Sequence, residues 1–302
     1  MSFVLALVPV IAVVALGHFL AARDVPPPEG WRAIERLCFV LLFPCLIVRV
    51  LANAPFENMP WRLALALVAA QLLMAALGHA ARLWPGLQGP TVASIIQSNV
   101  RWNTFVALSL AGALFGDEGL ALTAIAAAAM IPTANVISIL GFARYGNAEV
   151  RRHPFVELLQ NPLVIACILG IAINLSGITV PAVLDAVMEM LASAALALGL
   201  LAAGAGIDLQ ALGRGGMLTL FWSLLRVLLM PALAISAALL LGVDGVGLVV
   251  VAIASATPTA TNGYILARQL GGDAPFMANL IATQTLFAVV SMPLVMWLAG
   301  LS

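Results

Sequence analysis

Apolar residues in this chain run in long uninterrupted blocks, and charges, prolines and glycines fall between the blocks. Runs at about 3–20, 33–52, 61–81, 90–115, 119–142, 155–175, 182–206, 216–241, 246–269 and 275–300 each approach or exceed the roughly 20 apolar residues that a helix needs to cross a bilayer core about 30 Å thick. The pattern predicts ten transmembrane helices. Continuous Leu- and Ala-rich runs argue against a membrane barrel, whose strands alternate apolar and polar positions over about ten residues. The run from Phe3 to Leu20 has no basic residue ahead of it and further spans follow, so it reads as a first helix rather than a secretion signal.

Composition agrees with the pattern. Of 302 residues, 63% are hydrophobic and 9% charged, with a mean hydropathy of +1.12, whereas about a quarter of the residues of a soluble domain are charged. Ten helices with short loops use up the chain and leave no room for a soluble domain. Every basic residue is arginine, and the arginines orient the spans by the excess of positive charge on cytoplasmic loops. With the amino terminus outside, inner ends collect Arg23, Arg32, Arg36, Arg82, Arg144, Arg151, Arg152, Arg214 and Arg268, while outer ends keep Arg49 and Arg62. The outer side also takes Glu57, Asp117, Glu118 and Asp244, which carry little weight in this rule. The chain is thus expected in the cytoplasmic (inner) cell membrane, with both termini on the non-cytoplasmic side and the lipid bilayer as its solvent. Cys38, Cys45 and Cys167 lie inside apolar runs without metal-ligand spacing, which predicts neither a disulfide nor a metal site.

An internal repeat divides the ten runs into two halves. Pro9-Val10-Ile11 leading to Leu16-Gly17 resembles Pro162-Leu163-Val164 leading to Leu169-Gly170, 153 residues on. Leu114-Phe115-Gly116-Asp117 after run four resembles Leu270-Gly271-Gly272-Asp273 after run nine, 156 residues on. The expected halves are 1–145 and 154–302, joined by a short cytoplasmic linker at 146–153. Five helices per repeat is an odd number, so the second copy is inverted relative to the first, the architecture of many secondary transporters.

Polar groups in the middle of such helices are costly in lipid and are candidates for function. Run four carries Gln97, Ser98, Asn99, Arg101, Asn103 and Thr104, and run nine carries Ser255, Thr257, Pro258, Thr259, Thr261, Asn262 and Gly263. Pro258 lacks an amide proton and clashes with the preceding turn, which frees carbonyls that need a partner or a wet cavity. Run five adds Pro132, Thr133 and Asn135, and run ten adds Gln284 between Thr283 and Thr285. Ordinary helix packing also uses such residues singly, but polar interruptions at matching helices of an inverted repeat point to a binding site. Arg101 keeps its charge and calls for an anionic partner or a carbonyl-rich pocket, a requirement that a carboxylate substrate meets. Arg226 in run eight is either an accessory ligand for substrate or a tether to helix-end carbonyls. His18 and His79 near helix ends suit an interfacial role better than a proton relay, and His153 falls in a basic loop. Asp185, Glu189 and Glu157 lie near helix ends, away from the polar centre, which disfavours an antiporter built on midplane carboxylates.

These blocks together, Gln97 to Thr104 with Phe115-Gly116-Asp117-Glu118-Gly119, Pro132-Thr133-Ala134-Asn135-Val136, and Thr257 to Asn262 followed by Leu266 to Asp273, resemble the auxin efflux carrier family over the full length. The resemblance implies an all-α membrane protein of two inverted five-helix repeats, in which broken helices four and nine cross. It implies a scaffold domain from helices 1, 2, 6 and 7 and a transport domain from helices 3–5 and 8–10. Matched by motif, the site would use Arg101 and Asn103, Asn135, and Pro258, Thr259 and Asn262, with a small organic anion as ligand. A homodimer through scaffold helices is also implied. Two departures stand out: Arg101-Trp102 replaces a proline common in the plant members, and only Arg144 to Pro154 separates the halves, where those members carry a long loop.

The functional expectation is a secondary transporter, an efflux carrier of a small carboxylate working by alternating access. Its substrate-binding residues are Gln97, Asn99, Arg101, Asn103, Thr104, Asn135, Thr257, Pro258, Thr259 and Asn262, with Arg226 and Gln284 as accessories. A sodium-coupled organic-anion symporter of the bile-acid type and a membrane sensor without flux stand as alternatives. A membrane hydrolase would need a nucleophile and base in reach of each other, and the three histidines are badly placed for that. No catalytic residue, cofactor, metal or nucleic-acid partner is expected, and the coupling ion is left open between a proton and sodium.

Overall fold

The computed structural model describes residues 3–53, 60–147, 160–207 and 216–300, and among them every regular element is helical. Glu57, Arg151, Arg152, His153, Glu157 and Arg214, together with the start of run six, lie outside the described residues. Helix α1 spans Phe3–Ala21. Helix α2, Pro28–Leu37, passes through a π-helical turn at Cys38–Leu42 into α3, Phe43–Ala52. Then come α4, Trp61–Ala80, α5, Gly89–Val100, and α6, Thr104–Tyr145. Beyond them lie α7, Pro162–Ser176, α8, Ala182–Ala205, and α9, Gly216–Leu240. The chain closes with α10, Gly245–Ala256, α11, Asn262–Gln269, and α12, Ala274–Leu298.

Among the described residues, five stretches are long and apolar enough to cross a membrane: Trp61–Leu83, Gly89–Tyr145, Ala182–Ala205, Gly216–Leu240 and Ala274–Leu298. Shorter apolar helices lie at Val8–Ala21, Pro162–Ser176 and Gly245–Ala256. The 57 residues of Gly89–Tyr145 would measure about 86 Å as one straight helix, far more than a core of about 30 Å can hold. The stretch is broken twice, between Val100 and Thr104 and again at Gly116, whose φ of 55° and ψ of −137° lie outside the helical region. Pro132 does not break α6, in contrast to Pro258, which stands in the break between α10 and α11.

Three of the predicted runs differ in extent or continuity. The second helical segment starts at Pro28, five residues ahead of the apolar run, because a proline in the first turn and Glu29 beside it favour helix initiation. Runs four and nine are each two helices, α5 with the first part of α6, and α10 with α11.

The chain forms two compact units. The first takes the described residues of Met1–Trp61, Phe105–Ala128 and Leu159–Gly206. Its helices approach through glycines: a Cβ on Gly17 would fall on the Leu201 carbonyl oxygen, and one on Gly204 would fall on that of Val14. Reciprocal small residues let α1 and α8 pack backbone against backbone, the means by which helices associate in lipid. Gly199 admits Phe43, which stacks on Phe105 with centroids 4.2 Å apart. Arg49 bonds Asp185 at 3.0 Å and reaches Glu189 at 3.4 Å, joining α3 to α8.

The second unit takes the described residues of Arg62–Thr104, Ala129–Leu158 and Ile207–Ser302. Its core is a cluster that includes Ile95, Ile96, Phe142, Trp222, Met277 and Leu280. The Leu270 to Asp273 loop is fastened to α5. Asp273 accepts from the Phe276 amide at 3.0 Å and from the Thr91 hydroxyl at 2.9 Å, and its own amide donates to Ser94 Oγ at 3.0 Å. Gly271 holds a φ of +73°, and a Cβ on Gly272 would strike Phe142.

Candidate functional site

The site belongs to the second unit and is built around the ends of four helical pieces. In α10 the break follows from local chemistry. A residue before proline avoids the helical region, and Thr257 is extended, with φ −62° and ψ 147°. Helix α5 ends on Arg101 in nearly the same conformation, φ −79° and ψ 150°, although Trp102 follows it and not a proline. There the freed carbonyls find side chains from elsewhere in the chain. Val100 O accepts from Gln71 Nε2 at 2.8 Å, Ser98 O from Thr259 Oγ1 at 2.8 Å, and Arg101 O from Arg226 Nη2 at 3.0 Å.

The two breaks are bonded to one another. The Asn103 amide donates to Thr257 Oγ1 at 3.3 Å, and Gln97 Nε2 donates to Gly263 O at 3.2 Å. Gln284, wholly buried on α12, receives the Thr259 amide at 3.0 Å and donates to Ser98 Oγ at 2.7 Å, so one amide side chain serves both interruptions. An unpaired amide or carbonyl in such a dry place costs about 1–3 kcal/mol, which explains the density of side-chain partners here.

At one edge of this framework the guanidinium of Arg101, half-buried, donates to Asn135 Oδ1 at 2.9 Å and to Asn262 Oδ1 at 3.2 Å. Three residues predicted from separate runs therefore converge, and Asn262 is exposed. Asn262 also opens α11, whose amino-terminal amides carry a partial positive charge. Arg101 is held by neutral amides, so its neighbours in this pair of bonds leave its charge in place.

The other predicted residues are placed differently. Gln97, Asn99, Asn103, Thr104, Thr257, Pro258 and Thr259 are buried. Asn99 Nδ2 donates to Met74 O at 3.1 Å and ties α5 to α4, and Thr257 Oγ1 also donates to Ala254 O at 2.9 Å. The side chains of Gln97, Asn99, Thr257 and Thr259 thus bond backbone groups at or beside the breaks. Gln71 was not anticipated: it is buried at the middle of α4 and bonds Met130 O at 3.2 Å in addition to Val100 O. Its only signal in the sequence is a lone amide in the middle of an apolar run. Among the described residues no group of three or more His, Cys, Asp and Glu is placed to hold a metal ion.

Interrupted helices whose loose ends bond one another, set in an apolar helical protein, define a multi-pass membrane protein of transporter type. Residues 2–296 match the family described as membrane transport protein, that of the auxin efflux carriers, and the chain belongs to it. No curated protein matches the chain.

Proposed function

We propose that this membrane transport protein is a secondary transporter of a small organic anion, a carboxylate, and that Arg101, Asn135 and Asn262 bind it. The observation that carries the reading is the Arg101 guanidinium at the break of α5, held by two neutral amide oxygens beside the amino terminus of α11. A carboxylate arriving there gains charge-assisted bonds to the guanidinium, and both asparagines keep amide donors for its second oxygen. Efflux by alternating access follows, with the crossover unit moving as one body. Its architecture is ten crossings in two inverted repeats, 1–145 and 154–302.

Paired interruptions in runs four and nine support the inverted repeat. The division of the chain into units, with α1–α3, α7 and α8 in one and α4, α5 and α9–α12 in the other, supports a scaffold from helices 1, 2, 6 and 7 and a transport domain from 3–5 and 8–10, except that Phe105–Ala128 of runs four and five goes with the first unit. The arginine bias supports an inner-membrane setting with both termini outside.

The test is thermal unfolding of the purified protein against a panel of mono- and dicarboxylates, wild type beside Arg101→Ala. Binding raises the midpoint by mass action. A carboxylate that stabilises wild type and not Arg101→Ala bears the reading out; equal stabilisation of both removes Arg101 from the site.

A further inference from the structure

Helices α5 and α10 both end at the crossover with their carbonyl ends, and both ends meet one side chain. Arg226 on α9 is fully buried and, among the described residues, is the largest side chain so enclosed. Its Nη1 donates to Ser255 O at 2.7 Å, in the last turn of α10, and its Nη2 donates to Arg101 O at 3.0 Å, at the cap of α5. A helix carboxyl end carries about half a negative charge, so two such ends amount to about one unit, the charge that a guanidinium balances. Neither α4, α5, α9, α10 nor α12 contains an Asp or Glu, and among the described residues Arg226 takes part in no ion pair. Its counter-charge is the backbone itself.

Half-helix carboxyl ends and unwound carbonyls at such a crossover are also the groups that coordinate a coupling cation in secondary transporters. We propose that Arg226 is a built-in cation that takes the place of a coupling sodium ion, so that this carrier binds its substrate and cycles without sodium. The planar fork suits the task, because it spans two carbonyls on different helices while a compact ammonium acts as a point charge. The guanidinium also excludes a second cation. A sodium ion about 4 Å from it would lose roughly a thousandfold in affinity at the effective dielectric of a protein interior. Joined to both helix ends, Arg226 further holds the halves of the crossover as one body.

The assignment rests on the carrier reading given above, whereas its test needs no anion. Thermal unfolding is followed in sodium chloride and in choline chloride for wild type, Arg226→Ala and Arg226→Lys. Wild type should unfold at the same temperature in both salts. Arg226→Ala should unfold earlier and recover part of the loss in millimolar methylguanidinium chloride, which returns the missing cation, but not in choline. Arg226→Lys keeps a charge and should remain folded and indifferent to sodium, which preserves the test should the alanine variant fail to fold. A wild-type midpoint that rises with sodium, a methylguanidinium effect no greater in Arg226→Ala than in wild type, or a lysine variant that depends on sodium overturns the proposal. Carboxylate stabilisation measured in the two salts separates the readings. An effect that needs sodium defeats the built-in cation alone, and no effect in either salt defeats the anion carrier alone.

Discussion

Replacing Gln284 with leucine removes a side chain that bonds both interruptions, and the cost can be worked from its partners. The Thr259 amide, 3.0 Å from Gln284 Oε1, sits in a break without a helical acceptor, and a buried amide left unpaired costs about 1–3 kcal/mol. Ser98 Oγ, 2.7 Å from Gln284 Nε2, can still turn to Thr259 Oγ1 at 3.5 Å and so recovers part of its loss. Hydrogen bonds between membrane helices average about 0.6 kcal/mol and reach about 1.7, which keeps the sum near 2 kcal/mol, about thirtyfold in the folding equilibrium. Gln284→Glu is the informative companion, since its carboxylate accepts from both the Thr259 amide and the Ser98 hydroxyl. The assay is equilibrium unfolding in mixed micelles for wild type, Gln284→Leu, Ser98→Ala and the double variant. Residues in direct contact should show a coupling energy of about 0.5–1.5 kcal/mol. Additive losses, or a leucine variant as stable as wild type, would refute the claim that this amide ties the two breaks.

Three further outcomes follow from the same geometry. Asn262→Asp sets a carboxylate where the amide oxygen meets Arg101 at 3.2 Å, so stabilisation by external carboxylates should vanish while the apo protein unfolds no earlier; retained binding would place the anion elsewhere. Gly204→Val drives a side chain into the Val14 carbonyl and should cost about 3 kcal/mol or more, at the upper end for overpacking, read as loss of monodisperse protein after extraction. Asp273→Ala removes the cap of α12 and the bond to Thr91 and should lower stability by about 1–2 kcal/mol; an unchanged midpoint would show that the loop is held by its backbone bonds alone.

Local chemistry made much of this protein legible from its residues. Apolar runs long enough for a bilayer specify helices wherever they occur, because lipid offers a free backbone group no partner. Pro258 announces its own break, since it forces Thr257 out of the helix whatever surrounds it. The glycine and aspartate of the loop after run nine announce a turn and a helix cap, and they serve as such at Gly271 and Asp273. Arg101, Asn135 and Asn262 could each be singled out as polar groups in apolar runs, and Arg101 bonds both asparagines.

Tertiary structure alone decided which of the polar residues face each other. Nothing in the order Val100-Arg101-Trp102 stops a helix, and α5 ends there because Gln71 on α4, Arg226 on α9 and Thr259 in the break after α10 take its carbonyls. For the same reason Gln97 and Asn99 read alike with Arg101 in the sequence but bond backbone carbonyls in the buried framework, while Arg101 reaches its half-buried edge. For Arg226, which the sequence leaves open between ligand and tether, only the structure brings the ends of α5 and α10 onto its guanidinium. Periodicity and propensity act over a few residues of one helix, whereas the partner of a freed carbonyl is fixed by where other helices bring their side chains, across more than a hundred residues of chain between Arg101 and Arg226.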